Sequence, residues 1–198
     1  MVMRIKDLPI LDAHNHGDVK EIVENNGWKN IWEVEAATDH YVWELMRKRG
    51  VPEERITGAA SDKEKWLALA GVFPQFAGNP TYEWIHLDLK RRFGIEETIS
   101  KYTATVVWEK TSARLKQYDM KPQRLLKEMN VQIMCTTDDP TSDLEYHKRD
   151  REEIEGVRIL PTWRPDKAMN IDKASWKGFV QELGDKTNTD VSTLEGLV

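Results

Sequence analysis

The stretch Ile10-Leu11-Asp12-Ala13-His14-Asn15-His16-Gly17 decides the fold, because a short apolar run ends in two imidazoles with one residue between them. Side chains two apart in a strand share a face, so His14 and His16 project together with the spacing of two ligands for one divalent metal. A catalytic zinc site usually has three protein ligands and one open position, so two histidines alone are too few to hold a metal. Taken alone it also fits two partly exposed, hydrogen-bonded histidines in a turn.

Working outward, the first candidate strand covers residues 9–13, and the next does not begin until Val131-Gln132-Ile133-Met134-Cys135-Thr136. Helix signals fill the interval. Ser61-Asp62-Lys63-Glu64 has the capping-box spacing, with Trp66, Leu67 and Ala70 following on one face and Gly71 near the end. Asn79-Pro80 sets a capping residue before a proline at the first helical position, and Gly94 stops the helix that carries Trp84, Leu87 and Phe93. Residues 30–49, 101–115 and 122–129 read as further helices. An ordinary crossover is far shorter, so residues 18–130 are expected to be an inserted helical subdomain between residues 1–17 and 131–198.

After residue 130 strands and helices alternate. Ser142-Asp143-Leu144-Glu145 is a second capping box, opening a helix to about residue 153; Val157-Arg158-Ile159-Leu160-Pro161-Thr162 is a third strand; residues 172–183 form a helix ended by Gly184. This order predicts a parallel α/β layout with right-handed crossovers. Ligands bind at the C-terminal ends of such strands, where His14 and His16, Thr136 to Asp139 and Trp163 to Asp166 all fall. Ser192-Thr193-Leu194-Glu195 announces a third capped helix, and three strands cannot close an eight-stranded barrel. The expectation is the N-terminal part of a longer enzyme; a small open α/β domain with a disordered tail is the alternative.

Composition narrows the class. The 198 residues are 39% hydrophobic and 32% charged, enough for one substantial core, and the net charge of −5 argues against a general nucleic-acid binder. Cys135 is the only cysteine, which excludes an internal disulfide and suits a reducing compartment. No apolar run nears the ~20 residues that cross a bilayer, and no export signature opens the chain. A cytoplasmic protein acting on a small molecule, without nucleic-acid or membrane partners, is expected. The open edge of the third strand points to self-association or aggregation, which makes a homo-oligomer one possible state.

Five blocks carry a resemblance: Asp12-Ala13-His14-Asn15-His16, Thr38-Asp39-His40-Tyr41-Val42-Trp43, Gly78-Asn79-Pro80-Thr81-Tyr82-Glu83-Trp84-Ile85-His86-Leu87, Cys135-Thr136-Thr137-Asp138-Asp139-Pro140 and Leu160-Pro161-Thr162-Trp163-Arg164-Pro165-Asp166-Lys167-Ala168. In these the whole chain resembles the N-terminal portion of the uronate isomerase (glucuronate isomerase) family of the amidohydrolase superfamily. The resemblance implies an α/β fold, the N-terminal part of a (β/α)8 TIM-type barrel with about three parallel strands and a large helical insertion after the first. It implies aldose–ketose isomerisation of D-glucuronate to D-fructuronate and of D-galacturonate to D-tagaturonate. It implies His14 and His16 as ligands of a divalent metal, zinc or manganese, Tyr41 as a polar substrate contact from the insertion, and Arg164 as a substrate contact after the third strand. The family's later strands add an aspartate to the metal set, so the 198 residues alone are expected to be inactive.

The chemistry gives each choice a reason. Moving a carbonyl from C1 to C2 takes a proton off C2, stabilises an enediolate and returns a proton to C1. Arg164 suits a carboxylate or enediolate, since its guanidinium donates two parallel hydrogen bonds. Each residue also has a plainer reading: Tyr41 as core packing beside Trp43, Leu45 and Met46; Arg164 as a partner of Asp166 or Asp139; Asp138-Asp139-Pro140 as a turn device; His40 and His86 as structural; His147 as a solvated residue of a charged helix. A non-catalytic metal- or uronate-binding module, or a metal-dependent hydrolase of the same superfamily, is the alternative function.

Overall fold

The structure is a computed structural model and describes residues 7–154 and 156–197. The chain forms two compact units, one of Met1–Asn25 with Leu125–Val198 and one of Asn26–Arg124. Strand β1 (Ile10–Asn15) leads to helix α1 (Val19–Glu24), which starts where the Asp18 carboxylate accepts from the amides of Lys20 and Glu21.

The second unit holds α2 (Ile31–Glu35), α3 (His40–Lys48), α4 (Asp62–Val72), α5 (Pro80–Phe93) and α6 (Ala104–Arg114). The single helix expected over residues 30–49 is two. Asp39 takes extended backbone and caps a new helix through the amides of Tyr41 and Val42, while the Trp43 indole N–H donates to Ala36 O across the break. Helix α4 carries both halves of the Ser61–Glu64 capping box, and α5 runs from its Asn79 cap and Pro80 to Gly94 at φ +67°. Trp66, Leu69, Phe73, Phe76, Leu89 and Val107 are fully buried here. The Trp66 indole N–H donates to Ala104 O at 2.9 Å, so its one polar atom is satisfied inside the core. Truncating such a residue to alanine costs about 3–5 kcal/mol.

Helix α7 (Pro122–Glu128) precedes β2 (Val131–Asp138), α8 (Glu145–Glu153), β3 (Arg158–Trp163), α9 (Asp166–Met169), α10 (Trp176–Thr187) and α11 (Leu194–Leu197). The strands pair in parallel in the order β1-β2-β3. Val19, Ile22 and Val23 of α1 pack with Met134, Ile154, Val157 and Ile159, burying one face of the sheet beneath α1 and α8. On the other face Leu11 is 63% exposed. The architecture is the expected one: an α/β fold whose consecutive parallel strands lie side by side as at the start of a (β/α)8 barrel, with a large helical insertion after the first.

Three local expectations are corrected. Helix α10 runs through Gly184 and ends at Asn188, which takes the left-handed conformation; a Cβ at Gly184 would meet Val191 Cγ2 at 2.8 Å, so this glycine serves a close approach and not a stop. Ser142 Oγ accepts from the Leu144 amide, and Leu144 itself has φ +52°, so the turn before α8 is not the capping box its sequence announces. The last helix is capped by Thr193, whose hydroxyl accepts from the Gly196 amide, and not by Ser192. Among the described residues no helix is long and apolar enough to cross a membrane.

Candidate functional site

A bulge positions the histidines. Asp12 lies level with Met134 and Asn15 with Thr136, so β1 uses three steps where β2 uses two. Residues level in a parallel ladder share a face, and Met134 belongs to the core under α1. Asp12 and Asn15 therefore both face the helices, and His14 and His16 are turned to the opposite face. Without the extra residue, simple alternation would give His14 the face of Asp12. Side-chain bonds hold the bulge: Asn15 Nδ2 donates to Asp12 Oδ2 at 2.7 Å, and the Gly17 amide donates to Asn15 Oδ1 at 2.6 Å. A Cβ at Gly17 would meet Met134 Cε at 2.5 Å, which explains glycine at the exit.

The two Nε2 atoms stand 3.0 Å apart, with the rings edge to face. Two nitrogens bound to one tetrahedral zinc at 2.0–2.1 Å would sit about 3.3 Å apart, so the pair fits two adjacent coordination positions with small ring movements. A hydrogen bond between the two Nε2 atoms needs a proton on one of them, whereas holding a metal requires both lone pairs. Among the described residues no group of three His, Cys, Asp or Glu side chains gathers to hold a metal.

Arg164 lies just beyond β3, at the same C-terminal edge of the sheet as the histidines. Two strand spacings, about 10 Å, separate β1 from β3. Arg164 Nε donates to Asp166 Oδ2 at 2.9 Å; this ion pair raises the guanidinium pKa and lowers that of the carboxyl. Nη1 and Nη2 make no hydrogen bond among the described residues, and the side chain is 41% exposed. Asp139 pairs instead with Lys167 and accepts from the Thr141 amide, a turn device as its position before proline predicts. Tyr41 belongs to the other unit, at the second position of α3. It is 58% exposed and rests on the His40 ring at 4.2 Å, while Val42 and Met46 take the core positions. The core-packing reading of Tyr41 is thereby set aside.

The sequence reading missed a polar cluster behind the edge. Thr136 Oγ1 stands 2.7 Å from Asp138 Oδ2 and 2.8 Å from His147 Nε2. The His147 side chain is 8% exposed and Thr136 2%, so His147 is not the solvated residue its charged neighbours suggested. One signal existed: Ile154 lies two helical turns after His147 and is buried, so His147 falls on the inward face of α8. His16, Thr136, Asp138, Ser142, Tyr146 and His147 border a polar cavity of about 270 Å³. A larger hollow of about 760 Å³ is lined by Gln132 and Ile133 of β2, by Arg158, Ile159 and Leu160 of β3 and by Ile154 and Val157 before β3.

The glucuronate isomerase model matches residues 2–198. The chain is 63% identical over 194 residues to the uronate isomerase of Thermotoga neapolitana, covering 98% of this chain and 43% of that protein. It is 45% identical to the uronate isomerase of Caldicellulosiruptor bescii, covering 91% of this chain and 39% of the relative. The crystal structure of uronate isomerase from Thermotoga maritima superposes with a TM-score of 0.93 at 61% identity, over 98% of this chain and 43% of that one. Glucuronate isomerase from Caulobacter crescentus, 23% identical with a TM-score of 0.89, shares the fold. The chain thus spans less than half the length of the relatives it matches.

Proposed function

Because the chain belongs to the glucuronate isomerase family, we propose that it contributes the first metal ligands and a substrate arginine to an aldose–ketose isomerase. The reaction is D-glucuronate to D-fructuronate, and D-galacturonate to D-tagaturonate, by proton transfer through an enediol. The observation that carries this reading is the His14–His16 pair, its Nε2 atoms 3.0 Å apart on one face at the C-terminal edge of a parallel sheet.

The pair would hold a divalent metal, zinc or manganese, which when bound stabilises negative charge developing on the sugar oxygens. The chain's own residues do the rest. Arg164 binds the carboxylate or the enediolate through its Nη atoms, staying charged at every working pH and held in direction by Asp166. Tyr41 orients a substrate hydroxyl or passes a proton, a role supported by its exposed ring and by the resemblance. The protein works in the cytoplasm on a small sugar acid, and its 198 residues alone turn substrate over negligibly.

A chimera tests this reading: the 198 residues joined to the remaining portion of the Thermotoga maritima enzyme. It is expected to isomerise D-glucuronate, and its His14→Ala variant to lose more than the ~10–100-fold that outer-shell changes cost. A folded chimera with no activity, or one indifferent to His14→Ala, overturns it.

A further inference from the structure

His147 and Thr136 are nearly buried, hydrogen-bonded to each other, and unused by the proposed chemistry. A threonine hydroxyl has one proton. Its oxygen lies 2.7 Å from Asp138 Oδ2 and 2.8 Å from His147 Nε2, while Leu160 O is farther, at 3.4 Å. With Asp138 ionised, the hydroxyl donates to the carboxylate and accepts from His147 Nε2–H. In a neutral ring that order places the proton on Nε2, which also lies 3.5 Å from Asp138 Oδ2, and leaves the lone pair on Nδ1, in a ring lining the 270 Å³ cavity. The cluster is not an activated nucleophile, because Thr136 is 2% exposed.

It is placed instead to hold a strand end. Thr136 is level with Asn15, the residue that closes the bulge and turns His14 and His16 to the open face. Thr162 Oγ1 donates to the Thr136 carbonyl from the other side, so Thr136 is fixed from both neighbouring elements. His16 borders the same cavity as His147. Each of the first two strands thus ends in a polar clamp on its helix-facing side: Asp12–Asn15–Gly17 on β1 and Thr136–Asp138–His147 on β2.

We propose that His147 is a positioning residue for the histidine pair: through Thr136 and Asp138 it locks α8 to the end of β2, and through the Asn15–Thr136 rung it sets the register of the edge that carries His14 and His16. Removing the Nε2–H donor frees that edge. An outer-shell loss of this kind costs about 10–100-fold in metal affinity. The affinity readout rests on the metal reading given above; the ring signals do not.

The test compares His147→Leu with His147→Gln, whose amide N–H can take the place of Nε2–H, in the 198-residue protein. Imidazole 15N spectra are expected to show the Nε2–H tautomer for His147, lost to exchange in Thr136→Val. His147→Leu should shift the His14 and His16 ring signals and weaken Co2+ binding at least about 10-fold, and His147→Gln should restore both. Ile159→Ala, which opens the same core without touching the clamp, should lower the melting temperature and leave ring signals and Co2+ affinity as in the parent. An Nδ1–H tautomer, unshifted His14 and His16 signals in His147→Leu, or equal shifts in Ile159→Ala overturns the proposal. If the parent binds no Co2+ while the ring signals behave as stated, the metal reading fails and the positioning role stands.

Discussion

The Asn15 side-chain amide donates to Asp12 Oδ2 at 2.7 Å, bridging the one residue by which β1 exceeds β2 between the Asp12 and Asn15 rungs. Two imidazoles one residue apart share a face in any strand. Which face they share is set by the bulge that this bond spans.

Asn15→Ala removes both the bond to Asp12 and the acceptor of the Gly17 amide. Each such bond is worth about 0.5–1.5 kcal/mol, so a loss of about 1–3 kcal/mol is expected in denaturant titration. The His14 and His16 ring signals should shift as well. A stability loss with unchanged ring signals would mean that the bulge survives without its bridge.

Metal binding to the 198-residue protein should be weak, because two imidazoles leave half of a tetrahedral set to solvent. Zinc titration by calorimetry should show binding that His16→Ala abolishes and that a modest excess of chelator reverses. Turnover of D-glucuronate with added zinc or manganese should be negligible, and rates near those of a full-length relative would refute this.

Glu35 is partly exposed as a residue, yet its Oε1 is enclosed and has no hydrogen-bond partner among the described residues. Burial raises its pKa well above 4.5, and the charges of Asp88 and Asp39 add to the effect. The folded state therefore binds this proton more tightly than the unfolded chain. The stability gained is complete below pH 4.5 and is lost as pH rises through the folded value. Glu35→Gln, which cannot ionise, should be more stable than the parent at pH 7. Chemical denaturation from pH 4 to 8 should show the two proteins converging toward the acid end; parallel curves would contradict the assignment.

His86 titrates in the opposite sense. Its Nε2 accepts the Ile99 amide at 2.9 Å, so the ring is neutral, and burial lowers its pKa below 6.5 against the opposing charge of Glu83. Its contribution is present above pH 6.5 and is lost as pH falls through the depressed value. Thermal unfolding of the parent should weaken between pH 7 and 5 more than that of His86→Gln, whose amide oxygen can still accept from Ile99. Equal slopes would remove His86 from the pH response.

Features set by neighbouring residues were legible in the sequence. The Ser61–Glu64 box, the Asn79–Pro80 start and the Gly94 stop are local devices, and each is present. The parallel strands and the helical insertion followed from apolar runs separated by capped helices. Features that depend on distant partners were not legible. Gly184 reads as a stop until Val191 is seen against it, and residues 30–49 read as one helix until Asp39 is seen capping the second half. In the site, the spacing of His14 and His16 gave the shared face, but the bulge needed the register with β2. His147 was hidden by the charges around it, because its burial comes from Thr136, eleven residues earlier in the chain.

Ile10 pairs with Val131, so the first rung of the sheet closes a loop of 121 residues (131 − 10). For a flexible chain that closure costs about 4 kcal/mol beyond its length-independent part. The intervening Asn26–Arg124 unit has its own core, centred on Trp66, and is rich in local helical contacts. It can organise on the fast timescale of such contacts and replace the slack loop with a rigid body. The pairing that carries the histidines is thus a contact of large sequence separation, the kind whose closure entropy slows folding.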